Sequence, residues 1–98
     1  MSMPKRDTSE SKTIHLKGAL TFPNIMDFRD QILQSVTSCR DLTVDLSGID
    51  AIDLAGAQVL IAAARFADAQ GTTFRCIHAD RYRRICDFAG IRSPGLVP

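Results

Sequence analysis

The sequence predicts a small α/β domain with parallel strand pairing. Short stretches alternate apolar and polar residues, longer stretches repeat apolar residues at helical spacing, and the two kinds follow one another along the chain. Strands that alternate with helices favour crossover connections and parallel neighbours. With 98 residues, one domain is expected, with a core small enough that a partner would help hold it.

Residues 1–12 are polar, include Pro4 and show no periodicity, so they read as a disordered tail ahead of a domain spanning 13–98. The first strand is expected over Thr13 to Lys17, with Ile14 and Leu16 on one side and His15 facing solvent. Gly18 marks a bend, and Ala19 to Phe22 continues extended as a second strand. Helix one follows, with Asn24 as N-cap and Asp27 completing a short capping box. Ile25, Phe28, Ile32, Val36 and Cys39 form its apolar stripe.

Leu42, Val44 and Leu46 alternate with Thr43, Asp45 and Ser47, which predicts a strand ending in a turn at Ser47-Gly48. Ile49 and Ile52 lead into helix two, capped by Asp53 and stopped by Gly71. That helix is apolar on most sides, with Gln58, Arg65 and Asp68 on its wet face. It should be the central, best-buried helix. Thr72 to His78 reads as a strand covered on both faces. Asp80 then caps a last helix over Arg81 to Ala89, with Tyr82, Ile85, Cys86 and Ala89 inward and Gly90 at its end. Arg81, Arg83 and Arg84 read as a solvated face, and the closing residues 92–98 as a loosely held, turn-rich tail.

Several classes are disfavoured by composition. The net charge is +1, with no dominant basic face of the kind nucleic acid needs. No run approaches the about 18 apolar residues of a membrane span. The first dozen residues lack the apolar core of an export signal, so the cytoplasm is the expected compartment. Cys39, Cys76 and Cys86 are odd in number and lack a C-x-x-C pair, which suits reduced, buried thiols. Cys76, His78 and Cys86 match no zinc spacing, and no metal or other cofactor is expected.

Sites in parallel α/β folds lie where strands run into helices, which puts residues 47–56 at the functional edge. Catalysis has little to work with there. Ser47 has no histidine near it in sequence, and Asp45, Asp50 and Asp53 are explained by strand, turn and cap roles. Neither G-x-x-x-x-G-K-S/T nor G-x-G-x-x-G occurs, so no enzyme activity is expected. The mouth of helix two, by contrast, has free backbone N–H groups and the positive end of a dipole. Gly56 would let a partner approach the backbone, and Leu54 and Ala57 either add apolar contact or pack into the core.

The stretch from Leu42 to Ile91, "LTVDLSGIDAIDLAGAQVLIAAARFADAQGTTFRCIHADRYRRICDFAGI", resembles the STAS domain of bacterial anti-sigma-factor antagonists. Those proteins run a strand with D-L-S, a short loop, then D-S/T-S/T-G opening an apolar helix. The likeness extends more weakly back through "HLKGALTF", where the family reads like G-E-L-D. The resemblance implies a four- or five-stranded mixed sheet flanked by three to four helices, and no catalysis. It also implies an anti-sigma factor that is a serine kinase as partner, released when that kinase phosphorylates the second variable residue of D-S/T-S/T-G.

Asp53 and Gly56 match that motif, but Leu54 takes the first hydroxyl position and Ala55 the phosphoacceptor position. Ala19 and Thr21 replace both acids of G-E-L-D. Phosphate cannot be added at residue 55, so the resemblance implies a member held in its binding-competent form. STAS proteins also serve as subunits on the ATPase of phospholipid-type ABC transporters, with a motif similar to D-T-A-G that Ala55 and Gly56 fit, and others belong to signalling or chemotaxis clusters. The expected partner surface is Thr21, Asn24, Ser47, Asp53, Leu54, Ala55, Gly56, Ala57 and Gln58. A homodimer is compatible with all three settings, and direct membrane insertion is not expected.

Overall fold

The structure, a computed structural model, describes residues 11–92 and 94–95. In chain order they form β1 (Ser11–Leu20), a 3-10 turn (Phe22–Asn24), α1 (Ile25–Val36), β2 (Asp41–Ile52), α2 (Leu54–Gln70), β3 (Thr73–Ile77) and α3 (Asp80–Ala89). The strands pair in the order β1-β2-β3, and both pairs are parallel. Both crossovers step the same way across the sheet, so right-handed connection places α1 and α2 on one face. There they pack on each other, and α3 packs against α2 and β2.

Pairing aligns Ile14, Val44 and Cys76 across the sheet, and Lys12, Leu42 and Phe74 one step below. This is the face under the helices, and Leu42, Val44 and Cys76 are buried there with Leu16, Ile32, Val36 and Leu60. Each such aliphatic side chain contributes about 2 kcal/mol by leaving water. Small residues let α2 sit close to the sheet: Ala57, Ala63 and Ala67 are all buried. The alternate face carries Thr13, Thr43 and Arg75, then His15, Asp45 and Ile77. Thr73 and Arg75 are exposed on β3, so among the described residues this strand is covered on one face, not both.

The sheet differs from expectation in number and kind. Among the described residues it has three strands, all parallel, where a mixed sheet of four or five was expected. The two strands expected on either side of Gly18 are one, β1, because Gly18 takes φ +103° at a register slip and the pairing resumes beyond it. Ser47-Gly48 is likewise no turn: Gly48 pairs with Lys17, Ile49 with Gly18, and β2 runs on to Ile52. Phe22 has left the strand for the 3-10 turn. β1 starts at Ser11, two residues inside the expected tail, whose first ten residues lie outside the described ones.

Two of the three expected caps do not form. Asn24 and Ala79 stand at the N-cap positions of α1 and α3 without side-chain cap bonds, and Asp80 is the first residue of α3 instead of its cap. Asn24 is diverted, its Nδ2–H donating to the Ala19 carbonyl at 3.0 Å. Gly71 and Gly90 end α2 and α3 in left-handed conformation, as expected. Within the closing segment, the Gly95 carbonyl accepts from the Cys76 N–H at 2.7 Å and the Pro94 carbonyl from the Tyr82 hydroxyl at 3.0 Å. Far from loose, Gly95 is tied to the outer edge of β3 and Pro94 to α3.

All three cysteines are buried, and burial pushes the Cys76 thiol up to about 12. At mildly alkaline pH the folded protein should react with thiol reagents far more slowly than the urea-unfolded chain. Fast labelling of the folded form would contradict this core.

Two glycine substitutions separate packing from backbone conformation. A Cβ on Gly56 would overlap the Leu20 carbonyl oxygen, whereas one on Gly71 (φ +77°) meets nothing. Gly71→Ala should cost about 1 kcal/mol in urea unfolding. Gly56→Ala should cost more than about 3 kcal/mol, because backbone must move.

Candidate binding site at the mouth of α2

Asp53 organises the site. It sits in extended conformation ahead of α2, and its two carboxylate oxygens do different jobs. Oδ1 accepts from the Gly56 N–H at 2.9 Å, capping the helix. Oδ2 accepts from the Phe22 N–H at 3.0 Å, tying down the segment that follows β1. The Asp53 N–H in turn donates to the Leu20 carbonyl at 3.4 Å. The Gly56 and then the Phe22 N–H groups hold the carboxyl below its ordinary pKa.

Around this clasp the surface is apolar. The large hydrophobic side chains exposed among the described residues are Phe22 (70%), Met26 (59%), Leu54 (44%) and Phe88 (96%). All four gather at this end of the molecule. Phe22 is bonded to the cap itself, Met26 lies one turn further along, Leu54 opens α2, and Phe88 shares a depression with Leu54. Scattered exposed apolar residues need no explanation, but a group at one helix mouth points to a covered surface.

Between α1 and α2 runs a groove of about 370 Å³. Phe22, Ile25 and Leu33 form one wall and Ala55, Val59 and Ala62 the other, with Arg29 and Gln58 as polar rim. Its apolar centre and polar edge have the composition of a protein-docking surface.

The nine expected site residues divide accordingly. Leu54 and Gln58 are exposed and Ala55 is half-buried on the groove wall. Thr21 is half-buried and Asn24 exposed beside the groove, where both serve the turn: the Thr21 carbonyl accepts from the Asn24 N–H at 2.8 Å. Gly56 and Ala57 face inward. Gly56 allows close approach of the chain's own β1, not of a partner, and Ala57 is core.

Ser47 is exposed but lies elsewhere, lining a depression with His78, Asp80 and Arg81. Beside it Asp45 is buried, not outward or capping. Its Oδ1 accepts from the Ser47 N–H at 2.9 Å, and its Oδ2 meets His15 Nδ1 at 2.9 Å. The Ser47 N–H pulls the Asp45 carboxyl below its ordinary pKa most strongly, burial opposes it next, and the neighbouring Ser47 and His15 side chains add weaker downward pulls.

Both histidines therefore come near Ser47 and Asp45 in space, which their sequence separation hid. Among the described residues no group of three potential metal ligands lies together, Cys76, His78 and Cys86 included. No helix there is long and apolar enough to cross a membrane.

Phe22, Met26, Val59, Ala62 and Phe88 are missing from the expected surface. An off-stripe Met26 in α1 and an aromatic Phe88 on the polar side of α3 were the available signals, since neither fits its helix's buried face.

The depressed Asp53 carboxyl sets a sign for pH dependence. Its charge stabilises the fold above its unfolded value of 3.8 and ceases to do so as pH falls through the lower folded value. Urea unfolding should show Asp53→Asn less stable than wild type at neutral pH, with the gap closing toward acid. A gap that widens on acidification would contradict the capping role.

A family model described as "Mlab, STAS domain" matches residues 3–97, almost the full chain. No curated protein matches the sequence. STAS domains are in general binding and regulatory domains without catalysis. From a strand leading to an Asp-capped apolar helix, a glycine locked against the neighbouring strand and a match along nearly its entire length, the chain belongs to the STAS domain family.

Proposed function

We propose that this chain is a non-enzymatic regulator of the anti-sigma-factor-antagonist type. Its partner, an anti-sigma factor built like a serine kinase, docks across the first turn of α2 and into the groove beside it. The observation that carries this reading is the gathering of exposed Phe22, Met26 and Leu54 around a helix mouth with no hydroxyl on its first two residues. A phosphate here would bring nearly two negative charges onto an apolar ledge. With Leu54 and Ala55 in place that change cannot occur, so docking is not switched at this position.

A second reading has a specific observation behind it. The matching family model carries Mlab in its description, and Ala55-Gly56 fits the transporter-type motif. In that reading the same ledge seats on the ATPase of a phospholipid-type ABC transporter. Both need an apolar helix mouth, so the chemistry of the surface is common to them and the partner differs. A chemotaxis or other signalling scaffold would use the surface in the same way.

Calorimetric titration against the kinase-like anti-sigma factor and, separately, the transporter ATPase of the source cell distinguishes the readings. Binding to the first alone supports the antagonist, and binding to the second alone supports the transporter subunit. In either case Ala55→Glu, folded by circular dichroism, should weaken the complex by about tenfold or more, because it sets an unpaired charge on the groove wall. A folded Ala55→Glu protein that binds like wild type removes this surface from consideration.

A further inference from the structure

On the other flank of α2, Leu54, Arg84, Ile85, Phe88 and Ala89 line a shallow depression of about 560 Å³ that is separate from the groove. Phe88 is the most exposed large apolar side chain among the described residues, at 96%. It lies on α3 one turn beyond Arg84 and two turns beyond Arg81, so the three share a face. All are exposed, and among the described residues neither arginine has an ion-pair partner, whereas Arg29 and Arg75 do. Asp80 and Asp87 stand four residues before and three after Arg84, at neighbouring helical spacing, yet among the described residues neither forms an ion pair with it. The inward residues Tyr82 and Cys86 already anchor the helix, so folding does not require Phe88 or the arginines.

We propose that this face docks a short acidic segment of a partner protein, one that sets an aliphatic or aromatic side chain between Leu54 and Phe88 and carboxylates against Arg84 and Arg81. The proposal deepens the docking reading of the α2 mouth and rests on it, adding a second contact with its own chemistry. Charge complementarity selects the occupant. Two unpaired guanidinium groups beside an apolar depression fit carboxylates in bidentate geometry, and aromatic and arginine residues together dominate protein-binding surfaces. An anionic membrane is the weaker fit. At about 1 kcal/mol per basic residue, two arginines and a single aromatic fall short of stable adsorption.

The test is selection of a random dodecapeptide phage library on the full chain, with counter-selection on a Phe88→Ala, Arg84→Glu double variant. The expected survivors carry acidic residues around one or two large apolar ones. As synthetic peptides they should bind about tenfold or more weaker to Phe88→Ala and to Arg84→Glu singly, weaken with added salt, and bind Ala55→Glu like wild type. Survivors without acids, or no survivors, overturn the proposal. So does pelleting with phosphatidylglycerol vesicles that Phe88→Ala abolishes, which reassigns the face to lipid. A sedimenting dimer that Phe88→Ala dissociates reassigns it to self-association. Unfolding midpoints of the variants should match wild type, since the altered side chains are in solvent. Failure of the groove reading shows at Ala55→Glu, and failure of this one at Phe88 and Arg84.

Discussion

One carboxylate ties the mouth of α2 to the end of β1. Asp53 accepts from the first turn of α2 with one oxygen and from Phe22, just past β1, with the other. The first bond starts the helix, and the second fixes the exit of the first strand against it. Gly56 completes the joint, because only a residue without a Cβ lets α2 rest on the Leu20 carbonyl. Groove, ledge and exposed aromatic all take their positions from this contact. Phe22 is held at the cap by its backbone and leaves its side chain exposed.

That joint also explains why an apolar surface survives at a helix mouth. The backbone N–H groups there would ordinarily draw anions or polar ligands. Here Asp53 already supplies a negative charge to the Gly56 N–H, and the side chains of Leu54 and Ala55 add none. The dipole end is met from within, which leaves the rim free to be greasy. A partner of the kind proposed would gain by desolvation at Phe22, Met26 and Leu54 and gain orientation from rim groups such as Arg29 and Gln58.

The alternate face of the sheet has a different character. Thr13, Thr43 and the Arg75–Asp41 pair are solvated, and His15 clips β1 to β2 through Asp45. Asp45 is buried in part because β2 does not stop at Ser47-Gly48 but continues, folding the Ser47 N–H back onto the carboxylate. The polar pair and the apolar ledge thus lie in separate parts of the fold, one serving strand pairing and the other exposed to solvent.

Local rules written into the residues were enough for the succession of elements from α1 onward, the Asp53 cap and the Gly71 and Gly90 stops. Periodicity, capping and left-handed glycine each act within a few residues, so their signals are complete in the chain. The motif around Asp53 also drew attention to this helix mouth and showed that residue 55 has no hydroxyl to carry phosphate. Quantities that depend on distant segments were decided only in three dimensions. Gly18 and Gly48 look like breaks in isolation, yet pairing to each other's strand carries the sheet through both. Asn24 has a cap residue's chemistry, but the Ala19 carbonyl competes for its amide. Ala57 and Leu54 look alike on paper and stand one turn apart on neighbouring positions of the helix, yet Leu54, at the open first residue of α2, is exposed and Ala57 is in the core. Which apolar residues are left over for a partner is settled by what the rest of the fold has already covered, and that is a property of the packed molecule.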